Sequence, residues 1–401
     1  MQSFNSQVDQ PLRAAQTTAA ETGAIAPASA AFLFVFLEIF EREGGIQSYA
    51  QDIFRSYCSF SKQPADVFLL RDRPDCSNPF QSDHLNFHYF KHPSAQVGRL
   101  WMAIALFFHI LKNRPARVLC GHINLAPLVR FVCQPWQIPY TVMIHGKEVW
   151  EPLPRPLRAA LQQADEIWTV SRYSRDRAAA ANQLDLNKIR LMPCAVDGDR
   201  FTPGEKSAAL VDRYGLTNAQ VLLTVARLWS GDIYKGVDMT IRALGAIAQS
   251  IPNVKYLVIG RGDDQPRLAQ LAKDLGVGDR VVFAGFVPTV ELPEHYRLAD
   301  AYVMPSQEGF GIVYLEAMAC GVPVLAGDAD GSADPLQDGK LGWRVPHRTV
   351  EAIAHACIEM LQPEATPQSR KDGQWLRQQA LTWFGKAAFT QRLQDALKTA
   401  P

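Results

Sequence analysis

From residue 31 to residue 40 the chain reads AFLFVFLEIF, an apolar run broken only by Glu38 and without polar alternation. That is the pattern of a strand buried on both faces of a parallel sheet. A turn at Glu43-Gly44-Gly45 follows, and an amphipathic helix is predicted from about Ile46. Short apolar runs at 67–70, 117–120, 140–144, 166–170 and 189–192 predict further strands, with helical stretches at 99–112 and 156–163 among them. Alternating strand and helix implies a parallel sheet built with right-handed crossovers.

Residues 193–204, rich in Pro, Gly and Asp, read as a linker, after which the alternation begins again. Strands are predicted at 221–225, 255–259, 280–283, 301–305 and 323–326, and helices at 236–249, 265–275, 291–298 and 312–319. The expected fold is α/β: two Rossmann-like, doubly wound domains of about six strands each, with a cleft between them. A length of 401 residues, too long for one ordinary α/β core, agrees with this. The expected boundaries are a disordered leader at 1–30, a first domain at 31–198 and a second at 199–373. Helices follow at 374–401, free to pack back on the first domain.

Charge and cysteine narrow the classes. A net charge of +1 gives no global attraction to nucleic acid. The 7 cysteines show neither CxxC spacing nor a small disulfide framework, which reads as reduced thiols in a cytosol. In the leader, small residues precede the apolar run, whereas a signal peptide needs the reverse order. The longest apolar helix candidate, near 100–111, is too short to span a bilayer.

The stretch SQEGFGIVYLEAMACGVPVLA, residues 306–326, carries the most chemistry. A strand ends at Met304-Pro305, a turn contains Glu308-Gly309-Phe310-Gly311, and a helix starts near Ile312. Ligands of open α/β sheets bind beyond the carboxyl ends of the strands. There the glycines let backbone approach a ligand, and the helix start offers unpaired N–H groups to a phosphate. Glu316 stands eight positions after Glu308, so both carboxylates are able to face one cleft and accept from sugar hydroxyls.

These residues resemble the signature of the retaining glycosyltransferases of family 4, a B-type (GT-B) fold, whose E-x7-E pattern is matched by Glu308 and Glu316. The resemblance runs from about Phe32 to the C-terminus. It implies that Glu308 meets the donor hexose, that Glu316 meets the ribose, and that the amides of Gly309, Phe310, Gly311 and Ile312 contact sugar and diphosphate. It further implies that Arg227 and Lys235 hold the leaving diphosphate, where two cations stabilise the growing negative charge. An insertion-like segment at 229–234 separates them. His145, just past the 140–144 strand, is assigned to the donor sugar and reaction centre, and Gly44 and Gly45 to the donor phosphate. Gly260, Gly262, Phe286 and Val287 are candidate walls for the nucleotide base.

The resemblance therefore implies a metal-independent hexosyltransferase that retains anomeric configuration and needs no cofactor beyond its nucleotide-sugar donor. UDP-glucose is the first donor expectation and GDP-mannose the second. The acceptor expected is a lipid-linked or polysaccharide glycan, with a small soluble acceptor as an alternative. A nucleotide-sugar epimerase shares the fold but lacks the Glu308-to-Glu316 arrangement. A dehydrogenase is poorer, since no strand is followed by a full GxGxxG. Asp328/Asp330 and Asp197/Asp199 look like metal-binding pairs but lie in turn-rich segments where Asp is expected. His84, His88 and His92 are four apart, yet Pro93 argues against one continuous helix.

From His84 to Lys147 there is no Asp or Glu, while Lys91, Arg99, Lys112, Arg114, Arg117, Arg130 and Lys147 fall inside. The segment 99–114 is apolar and flanked by cations. It reads either as a buried Rossmann helix with its ends in water or as a face that touches an anionic membrane or acceptor. The expected location is cytoplasmic, with peripheral attachment to the inner face of a membrane.

Overall fold

The structure, a computed structural model, describes residues 32–81, 84–362 and 368–398. The leader expected at 1–30 lies outside the described residues. The first sheet comprises β1 (Phe32–Phe36), β2 (Ala65–Leu69), β3 (Leu85–Tyr89), β4 (Arg117–Cys120), β5 (Tyr140–Ile144), β6 (Glu166–Thr169) and β7 (Ile189–Leu191). Its order is β3-β2-β1-β4-β5-β6-β7, and every pairing is parallel. The second comprises β8 (Gln220–Val225), β9 (Val254–Ile259), β10 (Val281–Gly285), β11 (Ala301–Met304), β12 (Val324–Gly327) and β13 (Trp343–Val345). Its order, β10-β9-β8-β11-β12-β13, is again wholly parallel. Both orders reverse direction beside their first strand, which opens a crevice at the carboxyl edge of each sheet.

The apolar run 31–40 does not form one long strand. β1 stops at Phe36, and the backbone N–H groups of Ile39, Phe40 and Glu41 instead donate to the Asp72 carboxylate at 2.6, 3.2 and 3.0 Å. Leu37 and Ile39 stay buried, so their apolar character serves a tethered loop. β3 (LNFHY) and β13 (WRV) were not expected. They are edge strands with polar positions, and an apolar-run criterion passes over such segments.

The two C-terminal helices, Gly373–Phe384 and Lys386–Lys398, cross between the domains. The first packs on helix Ile312–Ala319, the second on helix Gly45–Phe60. Phe310 meets Phe384 edge-on at 5.7 Å, and Phe389 meets Tyr49 at 5.7 Å. The Val196 amide donates to Phe384 O at 2.8 Å. Through these helices one buried apolar cluster extends from Phe34 of β1 to Val324 and Ala326 of β12.

The helix Ala95–Asn113 buries only Gly98, Met102, Leu106 and Ile110. Leu100, Trp101, Ile104, Phe107, Phe108 and Leu111 are exposed, Phe108 to 62%. Their spacing puts them on one side of the helix. A fully buried helix, one of the two readings of this segment, is therefore excluded. No helix among the described residues is long and apolar enough to cross a membrane.

Candidate active site

The cleft is built from loops at the carboxyl ends of β1, β4, β5 and β6 on one side and of β8 to β12 on the other. After β11, Glu308 is anchored by its own backbone: its N–H donates to Asp330 Oδ2 at 2.6 Å. Burial pushes the Asp330 carboxyl up to about 7. Asp330 also accepts from the Ser332 amide at 2.9 Å, so it serves as a loop anchor. Asp197 and Asp199, the other acid pair, face Lys386.

The Glu308 side chain forms an ion pair with Lys235, and both are mostly buried. Burial works to lower the Lys235 pKa, but the Glu308 charge and further acidic neighbours outweigh it and leave the ammonium above its usual range. Arg227 is 60% exposed; it pairs with Asp232 at 3.0 Å and lies over Trp229. The insertion-like segment forms a 3-10 turn, Ser230–Lys235, that carries Asp232 and Tyr234. Across the cleft, Lys147 Nζ sits 2.9 Å from the centre of the Tyr234 ring. Burial lowers the Lys147 pKa, while Glu308 and Asp232 oppose that shift. Lys147 thus joins Lys235 as a cation at this point. In the sequence it stood only within a basic stretch, and nothing there distinguished it from its neighbours.

Glu316 lies one turn inside helix Ile312–Ala319, and Tyr296 Oη donates to its Oε2 at 2.7 Å. Burial raises its pKa, against the Tyr296 bond and the Arg200 charge. The helix has Gly311 as its N-cap, at φ 90°, and no side-chain cap. A Cβ at Gly311 would lie 2.3 Å from the Tyr314 ring, so glycine is required there both for conformation and for space. The Phe310 ring is buried, which leaves only its backbone to the cleft.

His145 follows β5 directly, with Nε2 3.2 Å from Gly121 O and its ring edge-on to Tyr49. The neighbouring His122 is lowered to about 4, first by burial and then by the His145 charge, with Arg71 acting in the same direction. A Cβ on Gly309 would stand 2.4 Å from the His145 carbonyl oxygen. Ser171 Oγ donates to Gly309 O at 2.5 Å, and Arg172 binds Asp334 and Asp338. The glycine turn of the second domain is therefore pressed against the strand end that carries His145.

The remaining predicted residues line the periphery. Gly44 precedes helix Gly45–Phe60 with extended backbone, and a Cβ at Gly45 would meet open space. Nearby, Thr289 Oγ1 donates to Glu43 Oε2 at 2.6 Å across the domains. Gly260 and Gly262 pack against the backbone that carries Arg227: their Cβ atoms would fall 1.8 Å from Ala226 O and 2.0 Å from Leu228 O. Phe286 is half exposed beneath Arg261, whereas Val287 is buried. Of the three spaced histidines, His88 pairs with Asp66 at 2.7 Å, and His92 Nδ1 accepts from the Ser94 amide at 3.1 Å.

Comparison with known proteins bears on this arrangement. Residues 219–363 match the family described as glycosyl transferases group 1. A GDP-mannose-dependent alpha-(1-6)-phosphatidylinositol monomannoside mannosyltransferase of Mycolicibacterium smegmatis is 40% identical over 230 residues, 54% of this chain and 59% of that protein. The chain therefore spans less than two thirds of that relative's length. A GDP-mannose-dependent monoacylated alpha-(1-6)-phosphatidylinositol monomannoside mannosyltransferase of Corynebacterium glutamicum is 28% identical, over 80% of this chain and 86% of that protein. Among solved structures, Anabaena HepE in complex with UDP and glucose superposes with a TM-score of 0.73 at 21% identity, covering 92% of this chain and 100% of that one. That likeness shows the GT-B fold.

Proposed function

We propose, for a chain whose residues 219–363 match the group 1 glycosyltransferases, that it moves a hexose from a nucleotide diphosphate sugar to an acceptor hydroxyl with retained configuration. The observation that supports this best is the meeting of Lys235, Glu308 and Lys147 beside the strand end that carries His145. Cations held there stabilise charge on a departing diphosphate, and a buried, pre-positioned pair does so without reorganising. On this reading the leaving phosphate itself takes the acceptor proton on the front face. GDP-mannose now stands ahead of UDP-glucose as donor, because the two mannosyltransferases above are described by it. The acceptor is a lipid-linked glycan. The test is a donor panel with a cell-extract acceptor pool and mass spectrometry of products. Nucleotide diphosphate should appear only when acceptor is supplied; interconversion of donor sugars without it would favour an epimerase.

Glu316 is assigned to the ribose. Glu316→Ala is expected to weaken donor binding by about 1.5–3 kcal/mol, the scale of a hydrogen bond to a charged group. Calorimetric titration with GDP-mannose checks this, and an unchanged Kd would remove Glu316 from the nucleotide site.

The exposed face of helix Ala95–Asn113 supports peripheral attachment to an anionic membrane. Arg99 and Lys112 belong to that helix and Arg114 caps its C-terminus, and each cation near such a surface contributes about 1 kcal/mol. Co-sedimentation is expected with anionic vesicles and to fall as salt rises. Equal recovery with neutral vesicles would remove the electrostatic part of this reading.

A further inference from the structure

A cavity of about 250 Å³ opens in the first domain, at the carboxyl ends of β1, β2 and β3. Arg42, Arg71, Lys91 and Arg99 line it together with Glu38 and Glu41. The acids do not neutralise it. Glu38 is shared loosely by Arg42 at 3.6 Å and Arg71 at 3.9 Å. Glu41 is held by Lys91 and, at 2.8 Å, by Arg73 from outside the lining. Four cations against two carboxylates leave an excess of positive charge in a concave site.

The walls bring these groups together by close backbone approach. Gly98 lies on the first turn of helix Ala95–Asn113, and a Cβ there would stand 2.7 Å from Phe90 O. Any larger residue would push the helix start, and Arg99 with it, away from Lys91. On its outer rim the cavity is continuous with the exposed apolar face: the His92 ring meets Trp101 edge-on at 5.1 Å. On its inner side the Arg71 backbone N–H donates to Leu37 O at 2.7 Å, which fixes Arg71 beside the end of β1.

We propose that this cavity seats the phosphate of an anionic lipid acceptor, whose apolar part lies along Leu100, Trp101, Ile104 and Phe108. The inference rests on the transferase reading above and assigns the acceptor side of that site. An excess of cations recognises a phosphodiester, and an adjoining exposed apolar stripe recognises acyl chain; a ligand with both groups in sequence is a phospholipid. Arg71 and Lys91 bind and orient the acceptor; neither touches the reacting atoms.

The test uses the full chain and glycerophosphoinositol, a soluble phosphodiester headgroup, observed by ligand-detected NMR. The Arg71→Ala/Lys91→Ala variant should lose headgroup affinity at least about tenfold, the scale of one charge-assisted hydrogen bond. Its Kd for GDP-mannose should stay at the wild-type value, which also shows that it is folded. The Trp101→Ser/Phe108→Ser variant should keep headgroup affinity while losing flotation with phosphatidylcholine vesicles containing phosphatidylinositol. Unchanged headgroup affinity in the cavity variant, or displacement of the headgroup by GDP, would overturn the assignment. Failure of both GDP-mannose and UDP-glucose to bind the wild-type chain would instead sink the transferase reading, and the acceptor role with it.

Discussion

Lys235→Ala is expected to lower turnover by about a hundredfold or more, the scale of removing a charge partner of the transition state. Two effects act together. The departing diphosphate loses a cation, and Glu308 is left mostly buried without its ion-pair partner. An unpaired buried carboxylate is costly, so it takes up a proton or draws in water. Arg227→Ala should fall in the same direction. Its guanidinium is largely exposed and already paired with Asp232, so its loss leaves less charge uncompensated in the fold. Steady-state kinetics with GDP-mannose, with and without EDTA, separates cations from metal. Strict dependence on added Mg²⁺ or Mn²⁺, or near-normal turnover in Lys235→Ala, would refute the assignment.

Gly309→Ala should lower turnover about a hundredfold with little change in donor affinity. A methyl group there would stand 2.4 Å from the His145 carbonyl oxygen, and that oxygen belongs to backbone with no room to retreat by rotamer change. The glycine turn must then back away from the first domain, which stretches the bond from Ser171 Oγ to Gly309 O. Glu308, the preceding residue, moves with it. A misplacement of about 1 Å at reacting groups costs about a hundredfold in rate. Comparing kcat with the GDP-mannose Kd tests this. Wild-type kcat would show that the domain contact is not needed for transfer.

The donor-side motif was legible because its chemistry is local. Glu308, the glycines and Glu316 fall within one strand–turn–helix, and the helix Ile312–Ala319 has the bounds its sequence predicts. β5 and β4 were also legible as short, mainly apolar runs, although Thr141 interrupts the one and Arg117 opens the other. β3 was not: its alternating polar residues suit an edge, and only pairing with β2 makes it a strand. The end of β1 was hidden for a related reason. Asp72, more than thirty residues away in sequence, takes the amides that would otherwise have continued the strand.

By itself the amino-acid sequence determined the alternation of strand and helix, the two-sheet α/β class and the donor-side signature, all of which depend on neighbours within a few residues. Tertiary structure alone decided which cations face the cleft. Lys147 and Arg71 are ordinary basic residues in the sequence until folding sets one against Tyr234 and the other in a cavity beside Glu38. It also decided which side of helix Ala95–Asn113 is bare. Apolar residues surround much of that helix, and their pattern does not say which neighbours will cover them. Burial and charge proximity are properties of segments distant in sequence, so periodicity carries no record of them.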